Sequence, residues 1–585
     1  MDHPFTALIL EVKLANQRTV ECLDCGHTIS YDPGILACPN CGSQWQEVRY
    51  PYTQIGVELP GLLAQRPFDL WRYRELLPVL DYRPSISLGE GGTPLVHADN
   101  LGMMLGIPNL YIKDERQGPT HSFKDRQAAV GIAAMKEAGI TEAVVSSTGN
   151  VAIAFSAYAA RAGIKLWAFL TSLVPGEKMR EVALYGTQVV KVTGTYDEAK
   201  KIAAEFAHQR GLYLERGARS LSSVEAMKTI AFEIAEQLTW LAEQGNPALK
   251  GRLEIARQNQ AQWIVPDWYF QSVSGGLGPL GVQKGFDELR QARLTSAIPA
   301  IAGIQTAGCA PMAHAWKQGL EKASPVLNPR THIATLSTGD PGRTYSLLRQ
   351  RMLAENDNHP AGCFDLVTDE EAFRAMHILA KLEGISVEPA AAVAFAGLIK
   401  LVRAGMIKAS DIVVVNCTGH TMPVEPIILG DNWARSIVAP AFVQEETPQE
   451  GLLAALSQVS SDRFPRVLIV DDTEDARRLI RRILQSQGNY TLFEANDGRQ
   501  ALEMIRKDLP DLVILDLMMP ELDGFGVLDQ LKSDPQTASI PVIVVTAKEL
   551  TPEEKIRLNG HIHKLMQKGE FMNDDLLDEV RALVK

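Results

Sequence analysis

Between residues 110 and 430, short apolar runs alternate with longer stretches whose apolar positions recur every three to four residues. The runs include Leu110–Ile112, Ala143–Val145, Leu166–Leu170, Val189–Val192, Trp268–Val273, Ile301–Ile304 and Ile412–Val415. They are too short for helices and read as buried strands. The stretches Gln127–Ala138, Val151–Ala162 and Val282–Ala292 read as amphipathic helices. Such alternation predicts an α/β chain with mostly parallel sheets. After residue 465 the same pattern returns on a smaller scale. Val467–Val470, Thr491–Glu494, Leu512–Leu515, Val542–Val545 and Ile562–Met566 are five strand runs, which suits a doubly wound, flavodoxin-like (βα)5 domain. Residues 436–464 carry Pro440, Pro448, Gln444–Thr447 and Ser457–Asp462, the composition of a linker. Before residue 59 only Val20, Trp45 and Val48 mark short strand-like pieces. The expected layout is therefore an N-terminal segment over 1–58, a large α/β body over 59–435, a linker over 436–464 and a small domain over 465–585.

Length and composition agree with several cores in one chain. There are 585 residues, 46% hydrophobic and 22% charged, with a net charge of −12. That acidity argues against a nucleic-acid partner. The N-terminus has no apolar signal region and the chain has no uninterrupted apolar run of ~18 residues, so neither secretion nor membrane spanning is expected. A cytoplasmic protein is the expectation. Four of the seven cysteines fall into two close pairs, which suits metal binding in a reducing compartment.

The pairs are Cys22-Leu-Asp-Cys25-Gly26 and Cys38-Pro-Asn-Cys41-Gly42. Two thiolates from each tight turn can close a tetrahedral shell around Zn²⁺, and the following glycine lets the backbone turn toward the sulfurs. With four protein ligands no position stays open. The expected zinc ribbon is structural.

The stretch Pro119-Thr120-His121-Ser122-Phe123-Lys124-Asp125-Arg126 opens the predicted helix after the run Leu110–Ile112. A lysine at a loop-to-helix junction can be desolvated and aimed into a cleft, where it is suited to a Schiff base with a carbonyl cofactor. Three more loops stand where ligand sites lie in α/β folds, at the carboxyl ends of strands. Ser146-Ser147-Thr148-Gly149-Asn150 leads into a helix whose free amides favour an anion. Ser274-Gly275-Gly276-Leu277-Gly278 can cradle a phosphate through backbone amides. Asn416-Cys417-Thr418-Gly419-His420 closes a strand. Cys417 and His420 are not read as a nucleophile and its base, because adjacent strand-end residues rarely converge.

Ser122-Phe123-Lys124-Asp125-Arg126 resembles the pyridoxal-phosphate (PLP) lysine motif of the threonine synthase branch of the tryptophan synthase β-like enzymes. The likeness runs over roughly residues 20–430 and includes Gly91-Gly92-Thr93-Pro94, Glu225–Glu236 and Glu383–Ala390. Similar cysteine ribbons precede the catalytic domain in many such sequences. The resemblance implies a two-lobed, fold type II body with PLP on Lys124. It implies that Ser147, Thr148, Gly149 and Asn150 hold the substrate carboxylate and that Asn150 reaches the cofactor's phenolic oxygen. It makes Ser274, Gly275, Gly276, Leu277 and Gly278 the phosphate cup and pairs Thr418 with the pyridine nitrogen. A neutral hydroxyl there moderates the electron sink and favours elimination and replacement over transamination. The implied reaction is O-phosphohomoserine to threonine and phosphate, in a homodimer. Threonine or serine dehydratase and cysteate synthase-like chemistry stay open, as does a non-catalytic amino-acid sensor. This chain also departs from the family: Gly118-Pro119-Thr120-His121 stands for Asn-Pro-Thr-Gly, Gln127 for a glycine, and Thr421-Met422-Pro423 for Gly-Leu-Lys.

In the C-terminal domain Asp471, Asp472, Asp516, Thr546 and Lys568 all fall at strand ends. Clustered carboxylates bind Mg²⁺, which lets a phosphoryl group approach an anionic aspartate. A hydroxyl and a lysine can hold its oxygens. The constellation resembles two-component response regulator receivers. That implies Asp516 as phosphoacceptor, Thr546 and Lys568 in support, and a sensor histidine kinase or phosphotransfer protein as partner. Leu565 stands where receivers often carry an aromatic switch residue.

Overall fold

The computed structural model describes residues 17–32, 34–80, 84–147, 149–171, 174–353, 362–420, 465–487, 490–548, 550–568 and 573–584. Thr148, Thr421–Pro423 and the expected linker over 436–464 lie outside them. Two compact units emerge: Met1–Ala98, Ile107–Met376 and Ser386–Thr421 in the first, Asp99–Gly106, His377–Ile385 and Met422–Lys585 in the second.

The first unit opens with a three-stranded antiparallel ribbon of β1 (Thr19–Cys22), β2 (Thr28–Ser30) and β3 (Gln46–Arg49), ordered β2-β1-β3. Val20 sits opposite Val48 and both are buried, which fixes this register. β2 was not foreseen; it carries one apolar residue, Ile29, and its two neighbours are exposed.

Ten further strands follow among the described residues of this unit. They are β4 (Leu95–His97), β5 (Leu110–Asp114), β6 (Glu142–Ser147), β7 (Lys165–Thr171), β8 (Gln188–Val192), β9 (Tyr213–Leu214), β10 (Trp268–Ser272), β11 (Ala300–Thr306), β12 (Cys363–Val367) and β13 (Val413–Cys417). They build a six-stranded sheet, β12-β11-β10-β13-β5-β4, and a four-stranded sheet, β8-β7-β6-β9. All pairs are parallel except β4 with β5. Every residue of β5, β10, β11 and β13 is buried. Helices cover both faces, so the strands read as continuous apolar runs rather than alternating ones. Each sheet has its own core, one around Phe232, Tyr269, Phe286 and Tyr345, the other around Phe155, Tyr158, Leu166 and Leu170. These are the two lobes that the resemblance to fold type II enzymes implies.

Within the second unit, β14 (Arg466–Val470), β15 (Thr491–Ala495), β16 (Leu512–Leu515), β17 (Val542–Thr546) and β18 (Lys564–Gln567) form one parallel sheet, β15-β14-β16-β17-β18. That is the flavodoxin-like order. Among the described residues no helix is long and apolar enough to cross a membrane.

Candidate active site

β13 lies between β10 and β5, so the loops leaving these three strands are neighbours. The Lys124 loop is zipped to the loop after β13. Ser122 and Gly419 form an antiparallel bridge, Phe123 N donates to Thr418 O at 3.1 Å, and His420 N donates to His121 O at 3.0 Å. Lys124 is then the first residue of helix Lys124–Glu137. It opens into a cavity of about 550 Å³ whose lining includes Asn150, all of Ser274–Gly278, and Thr418. Of the predicted carboxylate loop, Ser146 rather than Ser147 lines the cavity. Ser147 faces its own helix, accepting from Gly149 N at 3.0 Å and Ala152 N at 3.1 Å.

Only part of the Lys124 surface is covered, since it faces the cavity. The surrounding protein still desolvates its ammonium and brings the pKa down to about 8, against the pull of Glu388 and Glu215. The two residues after it anchor the loop. Asp125 accepts from Thr120 N at 2.9 Å and Thr120 Oγ1 at 2.6 Å, and burial raises its carboxyl to about 7. Arg126 is buried between Glu115 and Glu233, at 2.8 and 2.6 Å, and Lys113 meets Glu233 at 2.7 Å. Two cations and two anions thus close one buried network under the lysine. Burial also pushes the Cys417 thiol well above its usual range, consistent with no nucleophilic role.

Two residues beside Asn150 went unrecognised in the sequence. Asn150 Nδ2 donates to Glu388 Oε1 at 2.7 Å, while Lys178 Nζ donates to Asn150 Oδ1 at 2.8 Å and Glu388 Oε2 at 3.0 Å. Glu388 lies in the family-like stretch Glu383–Ala390, but nothing local marked it as a partner. Glu215 is a third. It accepts from Ser223 Oγ at 2.8 Å and Gly217 N at 2.8 Å, lines the cavity, and has its carboxyl raised by burial.

The donor set fits PLP. Gly276 has φ +87°, a left-handed turn that glycine adopts without strain. It caps helix Leu277–Gln291, whose first amides have no intrahelical acceptor and suit a phosphate. Ser274 Oγ and Thr338 Oγ1 stand 2.6 Å apart beside them. The Ser146 hydroxyl, in the cavity lining, is buried without a partner, leaving a polar atom for a bound group to satisfy.

In the ribbon, the Cys22 and Cys41 sulfurs are 3.6 Å apart and the Cys25 and Cys38 sulfurs 3.7 Å. All four lie within 4.8 Å of one another. Thiolates at ~2.3 Å from a tetrahedral zinc stand ~3.8 Å apart, so the cage is of the right size. In the second unit Asp471, Asp472 and Asp516 bring their carboxylates within 4.8 Å of one another. Lys568 Nζ reaches Asp471 and Asp516 at 2.6 Å each. Burial alone would lower its pKa, but these two hydrogen bonds hold it above the ordinary value.

Residues 86–419 match the pyridoxal-phosphate dependent enzyme family, and residues 467–581 match the response regulator receiver domain. The chain belongs to the PLP-dependent enzyme family, as a lyase, with a receiver domain on the same polypeptide. More narrowly, it is a threonine synthase-like member. It is 33% identical over 407 residues to the threonine synthase of Methanosarcina acetivorans, which spans 69% of this chain and 91% of that one. Identity to the Methanocaldococcus jannaschii threonine synthase is 34% over 401 residues, with 68% and 91% covered. To the Mycobacterium tuberculosis enzyme it is 30% over 366 residues, with 62% and 88% covered.

Proposed function

We propose that this enzyme converts O-phospho-L-homoserine and water to threonine and phosphate, and that its receiver adjusts the rate. One observation supports the reading above the others: the desolvated Lys124 amine shares its cavity with Lys200, Arg216, Arg219 and Arg343. A base beside several cations suits an amino acid whose far end is anionic. Bound PLP would supply the electron sink that acidifies the Cα and Cβ protons.

The chain's own residues would do the rest. Amides of Ser274–Gly278 hold the cofactor phosphate, and Thr418 Oγ1 meets the pyridine nitrogen. The helix start after Gly149 takes the substrate carboxylate, with Asn150 held by Glu388 and Lys178. Near pH 8 the Lys124 Nζ is poised to take a proton at Cα and return protons during the sequence. Phosphate leaves from Cγ and water adds at Cβ, so atoms balance. The four cysteines would hold one structural Zn²⁺. Asp471, Asp472 and Asp516 would hold Mg²⁺ for phosphoryl transfer to Asp516 from a sensor histidine kinase or phosphotransfer protein. A second copy of the chain completes the proposed assembly.

The test is to incubate the holoenzyme with O-phosphohomoserine, O-phosphoserine and threonine in turn, measuring phosphate, threonine and 2-oxo acid. Threonine and equimolar phosphate from the first substrate alone are expected. A 2-oxo acid from threonine would replace the reading with a dehydratase. Sulfite-dependent phosphate release from O-phosphoserine would point to cysteate formation. No turnover of any, with normal cofactor absorbance, would leave an amino-acid sensor.

A further inference from the structure

The ribbon does not merely precede the catalytic body. Trp45, four residues after Cys41, lines the Lys124 cavity together with Arg219 and Arg343. Both arginines are held by ribbon residues. Arg343 Nη1 donates to Asp24 Oδ1, Arg343 Nη2 donates to Leu23 O at 3.2 Å, and its guanidinium lies 5.8 Å from the Trp45 ring centroid. Arg219 Nη1 donates to Gln44 Oε1 at 3.2 Å. Leu23 and Asp24 are the two residues between Cys22 and Cys25, and Gln44 and Trp45 follow the second knuckle.

The two knuckles are also tied to each other at this point. Ser43 Oγ donates to Asp24 Oδ2 at 2.5 Å, Trp45 N donates to Ser43 Oγ at 3.1 Å, and Leu23 N donates to Trp45 O at 2.9 Å. Asp24 is therefore a junction, with one oxygen fixed by the other knuckle and one presented to Arg343. Further back, the ribbon is fastened to the catalytic body. Lys284 Nζ donates to Val48 O at 2.9 Å, Tyr50 OH donates to Glu225 Oε2 at 2.9 Å, and Arg351 pairs with Glu47. The wall is thus anchored through β3 while its tip reaches the cavity.

We propose that the cysteine ribbon forms a wall of the substrate cavity, in which Asp24 and Trp45 position Arg343 to read an anionic group at the far end of the amino-acid substrate. The inference rests on the proposed reading of that substrate. It adds that the recognition depends on Asp24 and Trp45 of the ribbon, outside the loops that surround Lys124. An arginine held at one edge of its fork keeps other donors free for an oxyanion, and an aromatic face beside it restricts its rotamers. Asp24 and Trp45 are positioning residues in this scheme. They touch Arg343, not the reacting carbon.

The experiment measures ligand binding to the holoenzyme through the change in cofactor absorbance, for native protein, Asp24→Asn, Trp45→Ala and Glu21→Gln. Zinc and cofactor content are verified in each. Glu21 serves as the control, since it pairs with Arg49 on the ribbon and is not in the cavity lining. The ligands are O-phosphohomoserine and homoserine, which differ only in the distal phosphate. Asp24→Asn and Trp45→Ala are expected to weaken O-phosphohomoserine by about tenfold, the scale of one charge-assisted hydrogen bond. Homoserine affinity stays within about twofold, and the turnover loss falls in KM rather than kcat. Glu21→Gln should match native. Unchanged O-phosphohomoserine affinity, or an equal loss for both ligands, overturns the wall. Native protein that prefers O-phosphohomoserine through this wall yet never turns it over would sink the proposed reaction instead and leave the wall standing.

Discussion

An amine on a four-carbon stem loses hydration when the chain closes around it, and Lys124 shows the consequence in a pKa of about 8 rather than 10.5. Above that pH the amine is neutral and can attack a carbonyl; below it the proton blocks the lone pair. Capture of PLP by the cofactor-free protein should therefore accelerate as pH rises through about 8 and level off above it. Stopped-flow absorbance across pH 6 to about 10 would show the inflection. A rate still climbing toward 10.5 would mean the amine is solvated. The same loop explains one family departure. His121, in place of the usual glycine, has φ 59°, a left-handed conformation that costs a non-glycine residue ~1–2 kcal/mol. Glycine appears instead at 118, where a Cβ would stand 2.4 Å from Asp125 Oδ2. The backbone is held by Asp125 on Thr120 and by the bridge to Gly419, so the strain at His121 is overdetermined by its neighbours. The other departure at this helix start, Gln127, also has a partner: its Nε2 donates to Ser223 Oγ at 3.2 Å.

At the scale of elements, the ribbon separates two kinds of dependence. The turns at Gly26 and Gly42 adopt φ +70° and +75°, and their amides donate to Cys22 O at 2.9 Å and Cys38 O at 2.8 Å. These turns set the sulfur cage but none of the loops at Asn150, Ser274–Gly278 or Thr418. Cys38→Ser should reduce zinc from about one ion per chain toward none, while bound PLP, read by its absorbance after dialysis, is retained. Loss of cofactor along with zinc would show that the ribbon supports the whole cavity. Seven of the ten strands in the two large sheets were legible as short apolar runs, while β4 and β9 are too short and too exposed to write one and β12 is interrupted by Asp365. The strand order was not legible, because pairing is non-local: β13 lies between β10 and β5, strands far from it in the chain. The partners of Asn150 were hidden for the same reason, with Glu388 lying 238 residues away. The cysteine cage and the receiver carboxylates were legible because their spacing or strand-end position is itself the signal. Trp45 was read as a strand residue of the ribbon, and nothing local says that it also faces a cavity.

For the whole molecule the question is why a lyase and a receiver share one chain. In the receiver, Lys568 bridges Asp471 and Asp516, and Lys568 N donates to Thr546 O at 2.8 Å. The ends of β14, β16, β17 and β18 are therefore tied at the proposed phosphorylation site. A phosphoryl group on Asp516 would replace the carboxylate's single negative charge with about two, spread over the phosphoryl oxygens, and must compete for Lys568, which would pull on Thr546 as well. Leu565, 38% exposed, has no ring to serve as an aromatic switch partner for Thr546, and the tied β17–β18 ends are the proposed route instead. A tenfold change in turnover requires the phosphorylated and unphosphorylated receivers to differ by only ~1.4 kcal/mol in how they favour the active enzyme. We predict that turnover of the native protein changes severalfold on treatment with a small phosphodonor and Mg²⁺, and that Asp516→Asn abolishes the response without altering the untreated rate. Steady-state kinetics in the four combinations, with phosphorylation confirmed by mass, decide it. Four identical rates would show that the receiver's charge is read by another protein, because a coupling below the detectable change in rate is too small to move the lyase between states.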